Sequence, residues 1–258
     1  MKAPLVFITG ASSGIGLALA ARYARAGHRL ALVARRAYKI EQWVSTQQVT
    51  EGQVCIYPAD VRNIDSITAA GRDCIAAQGL PELVIANAGV SIGFDTGEFA
   101  DLEVMRATLE TNVLGIAATF QPFVRPMCAR GSGTLIGIAS VAGIRGIPGH
   151  GAYCASKAAV ISYCESLRGE CRPFGVKVVT ISPGYVATTM THRNRYAMPF
   201  LMQAEDFADK SLATIRAGAS YRVIPWQMGW VAKLLRALPN ALFDRALAGR
   251  PRKPRSNE

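Results

Sequence analysis

The stretch LVFITGASSGIG, residues 5–16, decides the fold of this 258-residue chain. A short apolar run typical of a buried strand leads directly into a turn that contains Gly10, Gly14 and Gly16, and a helical pattern follows. Glycine permits a tight turn and a close approach of the backbone to a pyrophosphate, and the N-terminus of the next helix offers unpaired N–H groups to an anion. No Lys-Ser or Lys-Thr pair follows the last glycine, which disfavours a phosphate-hydrolysing P-loop. The stretch therefore indicates a nucleotide-binding turn between a strand and a helix.

Short apolar runs alternate with longer amphipathic segments along most of the chain. The apolar runs predict strands at 5–9, 29–34, 53–58, 83–87, 134–140, 177–182 and 221–224. The amphipathic segments predict helices at 14–26, 37–50, 64–77, 101–129, 152–173 and 204–217. Because the strands are apolar throughout, they are expected to be covered on both faces, as in a parallel sheet with right-handed crossovers. We predict an α/β protein with a single-domain Rossmann fold over residues 1–225, a doubly wound parallel seven-stranded sheet with helices on both faces, and a C-terminal helical extension over 226–258.

Composition indicates a globular protein of the cytoplasm. Hydrophobic residues make up 50% of the chain and charged residues 18%, which provides a sizeable core and excludes disorder. The six cysteines show no CxxC spacing and are interpreted as reduced thiols, and the three histidines have no ligand spacing, so we expect no metal. The apolar run of the N-terminal MKAPLVFITG ends after Ile8, too early for a signal peptide, and no stretch reaches the ~18 apolar residues of a membrane span. We therefore expect a cytoplasmic protein.

The net charge of +11 is partly a property of the C-terminal tail. Residues 233–258 hold seven basic and two acidic side chains, and so account for +5 of it. Nucleic acid is the first partner that such a charge suggests, but the chain has no recognition motif and no basic face interleaved with aromatic residues. We expect no nucleic-acid partner.

The end of the second predicted strand indicates which dinucleotide would bind. An NAD-selective site usually has a carboxylate there for the ribose hydroxyls, whereas this chain has VARR, residues 33–36. Ala34 removes the acid, and the guanidinium groups of Arg35 and Arg36 suit a 2′-phosphate. Ordinary solvated arginines are the alternative interpretation. We expect the cofactor to be NADP(H).

The segment AYCASKAAV, residues 152–160, places Tyr153 and Lys157 four residues apart, on one face of a predicted helix. Alone, such a pair is most often a pair of surface neighbours. With the glycine-rich turn and five further segments, however, the chain resembles the short-chain dehydrogenase/reductase family, in the branch with a TGxxxGxG turn, over about residues 4–225. The matching segments are TGASSGIG, ADV (59–61), NAG (87–89), TNVLG, IASVAG, YCASK and SPGYVATTM, all in the family's order. The resemblance implies an NADP-dependent oxidoreductase that transfers a hydride between nicotinamide and a small-molecule carbonyl or alcohol substrate.

By this resemblance the catalytic set is Asn112, Ser140, Tyr153 and Lys157. Tyr153 would be the acid and base, and Lys157 would lower the pKa of its phenol from about 10 and bind the ribose. Ser140 would hydrogen-bond the substrate oxygen, and Asn112 would hold a water that links Lys157 to solvent. A catalytically silent dinucleotide-binding sensor or scaffold is the alternative, which the intact catalytic set disfavours.

The resemblance also implies a set of cofactor-binding residues from the glycine-rich turn, the ends of the strands and the nicotinamide loop. Val186 would bind the carboxamide through its backbone and Thr188 through its hydroxyl. The full set is Gly10, Ser12, Ser13, Gly14, Ile15, Gly16, Arg35, Arg36, Asp60, Val61, Asn87, Ala88, Gly89, Tyr153, Lys157, Pro183, Gly184, Val186 and Thr188.

Residues 188–204 occupy the place of the family's substrate lid. The expected apolar lining favours an apolar or long-chain carbonyl compound, and consists of Met190, Met198, Phe200, Leu201 and Met202. The basic side chains of this segment could clamp an anionic head group, although we favour solvent-facing charge for them; they are His192, Arg193 and Arg195.

The C-terminal segment 225–255 shows a helical apolar pattern that is broken at Pro239 and punctuated by basic residues. Two helices that pack on their own domain or across a subunit interface are the favoured interpretation. The alternative is an amphipathic helix in peripheral contact with the inner face of a membrane, because tryptophan and leucine alternate with Lys233 and Arg236. We expect a homo-oligomer.

Overall fold

The computed structural model of the chain describes residues 3–47, 49–192, 194, 196–249 and 251–255. Its strands form one sheet in the order β3-β2-β1-β4-β5-β6-β7, and every neighbouring pair is parallel. The strands are β1 Leu5–Thr9, β2 Arg29–Ala34, β3 Val54–Pro58, β4 Leu83–Ala86, β5 Gly133–Ile138, β6 Val176–Pro183 and β7 Tyr221–Ile224. The predicted seven-stranded, doubly wound parallel sheet is confirmed.

Helices cover both faces of this sheet. They are α1 Gly14–Arg25, α2 Ala37–Ser45, α3 Ile64–Gln78, α4 Asp101–Leu109, α5 Gly115–Arg130, α6 Gly151–Cys171, α7 Ala204–Arg216, α8 Trp226–Ala237 and α9 Asn240–Leu247. No helix among the described residues is long and apolar enough to cross a bilayer.

Two predicted helices have different bounds in the structure. The helix predicted over 37–50 ends at Ser45, where the hydroxyls of Ser45 and Thr46 donate to the carbonyl oxygens of Gln42 and Trp43. The helix predicted over 101–129 is divided into α4 and α5 by a π-helical turn, Glu110–Leu114. Such a widened turn changes the direction of the side chains that it carries, and π-turns occur frequently at functional sites.

The alternation of side chains along the central strand divides the core into two layers. Leu5 and Phe7 of β1 face α3, α5 and α6, where Phe7 packs against Phe123 at 4.8 Å between ring centroids. Val6 and Ile8 face the opposite way, towards α1, α2 and α7. Because successive side chains of a strand point to opposite faces, the uninterrupted apolar run of β1 supplies both layers. Each fully buried side chain of this size contributes about 1.5–3 kcal/mol to folding.

The C-terminal helices pack on the domain that precedes them, as the favoured interpretation of the sequence anticipated. Met228 and Ala232 of α8 are buried, and Phe243 of α9 lies under the Arg145 guanidinium at 3.8 Å. Arg145 also donates to the carbonyl oxygens of Leu235 and Leu238, at the end of α8. One arginine therefore joins both helices of the extension to the loop that follows β5.

Candidate active site

A cleft opens at the carboxyl ends of the strands, where the strand order reverses between β1 and β4. Ligands of open α/β sheets bind at such a switch point. All of the predicted site residues except Gly16 and Asn112 line this cleft. Residues that the sequence analysis did not assign to the cofactor also line it, and they include Ala59, Val90, Thr111, Ala139, Thr189, Met190 and Thr191.

The glycine-rich turn has the geometry of an anion cradle. Gly10 and Gly14 have φ values of +67° and +55°, a left-handed conformation that favours glycine. The side chain of Ser13, at the N-cap of α1, accepts no capping hydrogen bond, so the first N–H groups of the helix are left for an anion. A Cβ on Gly16 would lie 2.3 Å from the Gly10 carbonyl oxygen. Gly16 therefore allows α1 to pack closely behind the turn, and it does not line the cleft.

Asn87 ties the end of β4 to the end of β1. Its side-chain Nδ2 donates to the carbonyl oxygen of Thr9 at 3.0 Å, and the Thr9 hydroxyl oxygen accepts from the backbone N–H groups of Asn87 and Ala88 at 3.1 and 3.2 Å. The predicted NAG segment thus holds two neighbouring strand ends together under the cleft.

Basic side chains stand at the rim of the cleft beyond β2. Arg35 and Arg36 are exposed, and Nη1 of Arg35 lies 3.9 Å from Oδ2 of Asp60. Arg62, which the sequence analysis missed, binds the same carboxylate oxygen more closely, at 2.8 Å. Burial raises the pKa of Asp60, but the hydrogen bonds from Arg62 outweigh it and hold the pKa below its usual value. Arg62 therefore satisfies Asp60, and Arg35 remains available to an anion.

Tyr153, Lys157 and Ser140 meet at the other end of the cleft. Tyr153 and Lys157 lie on the first two turns of α6, and Ser140 follows β5. The Ser140 hydroxyl oxygen accepts from the Ala142 N–H at 3.1 Å, and all three residues line the cleft. Nζ of Lys157 donates to the carbonyl oxygen of Ile138 at 2.8 Å and lies 5.8 Å from the centre of the Tyr153 ring. The spacing of four residues therefore brings phenol and ammonium to one face of the helix, as predicted.

The pKa values at this end of the cleft differ from the expectation. Desolvation raises the pKa of Tyr153 to about 12, and the Ser140 hydroxyl, which favours the phenolate, lowers this pKa only in part. Burial lowers the pKa of Lys157 to about 8. The expected lowering of the phenol's pKa by Lys157 is not present in this structure, because the ammonium is directed to Ile138 and the surroundings of both groups disfavour charge.

Asn112 lies in the π-helical turn, directly behind the cleft. Its Nδ2 donates to the carbonyl oxygen of Val90 and to the Ser156 hydroxyl, both at 2.9 Å, and its Oδ1 accepts from the Val90 N–H at 2.8 Å. A Cβ on Gly89 would lie 3.2 Å from this oxygen and 3.5 Å from Nζ of Lys157, so Gly89 separates the two groups. An amide oxygen has two lone pairs, and the second one remains for a donor on the Lys157 side.

The lid differs in part from its prediction. Met190 lines the cleft, but Phe200 and Leu201 are about half exposed, and Met202 packs into the core through a parallel bridge with Val186. These three side chains thus do not form the continuous apolar lining that was expected. His192 is exposed, and Arg193 and Arg195 lie outside the described residues.

Two lid-side residues escaped the sequence analysis. Nε2 of His150 lies 3.1 Å from the hydroxyl of Tyr196, and the Tyr196 ring lies 6.2 Å from that of Tyr185. His150 is at the N-cap of α6, three residues before Tyr153. A single histidine and a single loop tyrosine give no pattern in the sequence, so only the fold reveals the pair.

The fold and this grouping of residues define an oxidoreductase of the short-chain dehydrogenase type. The family model for short chain dehydrogenases matches residues 4–198, and the chain belongs to this family. An uncharacterized oxidoreductase of Myxococcus xanthus is 38% identical over 93% of this chain and 94% of its own, and the uncharacterized oxidoreductase Rv0945 of Mycobacterium tuberculosis is 32% identical over 93% and 96%. Among solved structures, a short-chain dehydrogenase from Sphingobium yanoikuyae in complex with NADPH superposes with a TM-score of 0.76 at 26% identity, over 92% of this chain and 97% of that one.

Proposed function

We propose that this protein is an NADP(H)-dependent oxidoreductase that interconverts a carbonyl compound and an alcohol. The observation that carries the proposal is the grouping of Ser140, Tyr153 and Lys157 at one end of a cleft whose other end is the glycine-rich turn. The left-handed glycines and the uncapped N-terminus of α1 fit a dinucleotide pyrophosphate. When bound, the nicotinamide supplies or accepts the hydride.

The chain's own residues provide the proton and the polarisation. Ser140 donates a hydrogen bond to the substrate oxygen, and Tyr153 transfers its phenolic proton to that oxygen as negative charge develops on it. Because the pKa of Tyr153 is about 12, the phenol is protonated at neutral pH and is ready to act as the acid in carbonyl reduction. Oxidation of the alcohol needs the phenolate, so its rate is expected to rise with pH.

The preference for NADP(H) follows from the rim beyond β2. Asp60 is already paired with Arg62, so Arg35 and Arg36 present two exposed guanidinium groups next to the end of β2. A guanidinium group pairs with phosphate through charge-assisted hydrogen bonds, which the ribose hydroxyls of NAD(H) do not offer.

A panel of ketones, aldehydes and alcohols with NADPH or NADP⁺, assayed at about pH 6 and about pH 10, tests this function. We expect reduction at the lower pH and oxidation at the higher one. The competing function, a silent dinucleotide-binding sensor, predicts NADPH binding with no turnover of any compound at either pH. Turnover with NADH but not NADPH would contradict the cofactor preference alone.

We also propose peripheral contact with a membrane. Trp226, Trp230 and Leu234 recur every four residues on α8 and are exposed by 65%, 66% and 66%. Nζ of Lys233 lies 5.1 Å from the Trp230 ring, so an ammonium stands beside this apolar stripe, as on helices that lie at an anionic bilayer surface.

Co-sedimentation with vesicles of anionic or neutral lipid tests the membrane contact, with a Trp226→Ser/Trp230→Ser/Leu234→Ser variant as the control. We expect the full chain to bind anionic vesicles and the variant to lose most of that binding. A second copy of this chain is the other possible occupant of the stripe, in line with the predicted homo-oligomer. The membrane contact would be overturned in favour of the oligomer if the full chain bound no vesicles and light scattering showed a smaller assembly for the variant than for the wild type.

A further inference from the structure

The last described segment of the chain, residues 251–255, returns to the substrate side of the cleft. The Gly93 N–H donates to the carbonyl oxygen of Pro254 at 3.1 Å, and a Cβ on Gly93 would lie 2.3 Å from the Lys253 carbonyl oxygen. Arg252 pairs with Asp95 at 3.4 Å. Arg255 binds both carboxylate oxygens of Asp101, at 2.9 and 3.2 Å. The segment is therefore fastened along the loop between β4 and α4.

Between these two arginines, Lys253 is turned inwards. Lys253 is only 8% exposed. Its Nζ donates to the Ser91 hydroxyl at 3.1 Å and to the Met190 carbonyl oxygen at 3.3 Å. Both acceptors are neutral. Of the ion pairs within the described part of the chain, none includes Lys253.

A buried ammonium without an opposite charge is costly, and burial lowers the pKa of Lys253 to about 8. An ammonium group also has three donors, of which the two named acceptors use two. A neutral side chain of similar shape, such as methionine, would hold the segment in place without this cost. One donor of the ammonium therefore remains for an anionic partner, and no ion pair of the described residues supplies one.

The neighbours of Lys253 place it next to the Tyr153 side of the cleft. Met190 lines the cleft, and Ser91 follows Val90, which also lines it. Burial lowers the pKa of His150, and the charge of Lys253 lowers it further. His150 bonds Tyr196 and precedes Tyr153 by three residues, so Lys253 lies on the Tyr153 side of the cleft, away from the arginines at the rim.

We propose that Lys253 binds an anionic group of the carboxylate class on the substrate, so that the enzyme acts on carbonyl compounds that carry a carboxylate. This inference rests on the proposed function and narrows its substrate class. Lys253 would be the specificity-determining residue, and Arg252 and Arg255 would hold the segment that presents it. The lid residue Met190 and the loop residue Ser91 would position the ammonium between them.

Matched pairs of substrates test the proposal. Aryl keto acids with one to four methylene groups between carbonyl and carboxylate would each be compared with the methyl ester of the same acid, in the full-length wild type and in Lys253→Met, Lys253→Arg and Arg172→Met. We expect the wild type to favour an acid over its ester, and Lys253→Met to lose about tenfold to a hundredfold in kcat/KM on that acid with little change on the ester. Lys253→Arg should keep most of the preference.

Arg172→Met is the matched control, because it removes one exposed positive charge just beyond the C-terminal end of α6 and leaves the segment that carries Lys253 unchanged. We expect it to keep the wild-type preference for acids. Any of three results would overturn the proposal. Lys253→Met could lose equal kcat/KM on acid and ester, the two methionine variants could have equal effects, or the wild type could favour the esters.

Calorimetric titration of the same acids and esters into the protein, with and without NADP⁺, measures recognition without turnover. We expect tighter binding of an acid than of its ester, and loss of this difference in Lys253→Met with unchanged NADP⁺ binding. Binding without preference for acids would overturn the anion site. Preferential binding of acids with no turnover of either compound would instead overturn the proposed function and leave the anion site standing.

Discussion

The choice between NADPH and NADH is expected to depend on Arg35, and the structure gives the size of the effect. Asp60 has two arginine neighbours, and Arg62 at 2.8 Å is the closer one, whereas Arg35 at 3.9 Å has a side chain that is 57% exposed. An ion pair as exposed and as long as that of Arg35 contributes about 0.5 kcal/mol. Arg35 therefore gives up little when it turns towards a phosphate group.

A charge-assisted hydrogen bond contributes about 1.5–3 kcal/mol. After the weak Asp60 contact is subtracted, about 1–2.5 kcal/mol remains, so Arg35→Ala should weaken NADPH binding by about fivefold to seventyfold. NADH has no 2′-phosphate, and its affinity should hardly change. Adding Ala34→Asp, at a residue that lines the cleft at the end of β2, places a carboxylate near the ribose and should reverse the preference towards NADH.

Fluorescence titration of NADPH and NADH into the wild type, Arg35→Ala and Arg35→Ala/Ala34→Asp measures these affinities. Arg106→Ala is the control for loss of one positive charge, because Arg106 is exposed and pairs only with Glu103 among the described residues. A wild type that binds NADH more tightly than NADPH would refute the reasoning, and so would an equal loss of NADPH affinity in Arg106→Ala and Arg35→Ala.

Three further perturbations test the packing behind the site. Gly16→Ala should destabilise the protein by about 1–3 kcal/mol in urea denaturation and weaken NADPH binding, because the new Cβ would lie 2.3 Å from the Gly10 carbonyl oxygen. Gly169→Ala is the control, at a helical position with open space around it, and it should leave the stability unchanged or raise it. Arg145→Ala should lower the free energy of unfolding by about 2–3 kcal/mol and make α8 and α9 sensitive to limited proteolysis, because it removes the contacts of Arg145 with both helices. Arg172→Ala, at an exposed arginine, should have neither effect. Lys253 has a pKa of about 8 in the folded protein against 10.5 as its ordinary value, so the unfolded chain binds more protons between these pH values. We therefore expect the free energy of unfolding of the wild type to rise from pH 8 to pH 10.5, relative to that of Lys253→Met. The expected rise is about 1–2 kcal/mol after allowance for solvent screening. A fall would contradict the burial of this ammonium.

The strands and the glycine-rich end of the cleft could be predicted because their signals are local. An apolar run such as 5–9 followed by the glycine-rich turn specifies a buried strand and a close helix start within a dozen residues, and the structure has both at the predicted positions. The Tyr153 and Lys157 pair likewise depends only on helical spacing. The conformation of Gly10 and Gly14 follows from the same turn.

The features of the site that could not be predicted from the sequence depend on contacts between residues that are distant along the chain. Lys253 reaches Ser91 across 162 positions, and no periodic pattern links the two. The pKa of Tyr153 depends on how completely the fold removes water from it, which spacing does not reveal. The π-helical turn at Asn112 is a local departure from regular helix, and its amide contacts a loop 22 residues earlier. Arg250, which belongs to the predicted basic tail, lies outside the described residues.

Tyr153→Phe tests the proposed proton transfer from the Tyr153 phenol to the substrate oxygen. The substitution removes one hydroxyl, the proposed proton donor, and leaves the ring, the Lys157 contact with Ile138 and the glycine-rich turn in place. Turnover of the best carbonyl substrate with NADPH should fall by about a hundredfold to ten-thousandfold, the usual contribution of general acid catalysis, while the Kd of NADPH stays close to that of the wild type. Retention of more than about a tenth of wild-type turnover would show that Tyr153 is not the acid.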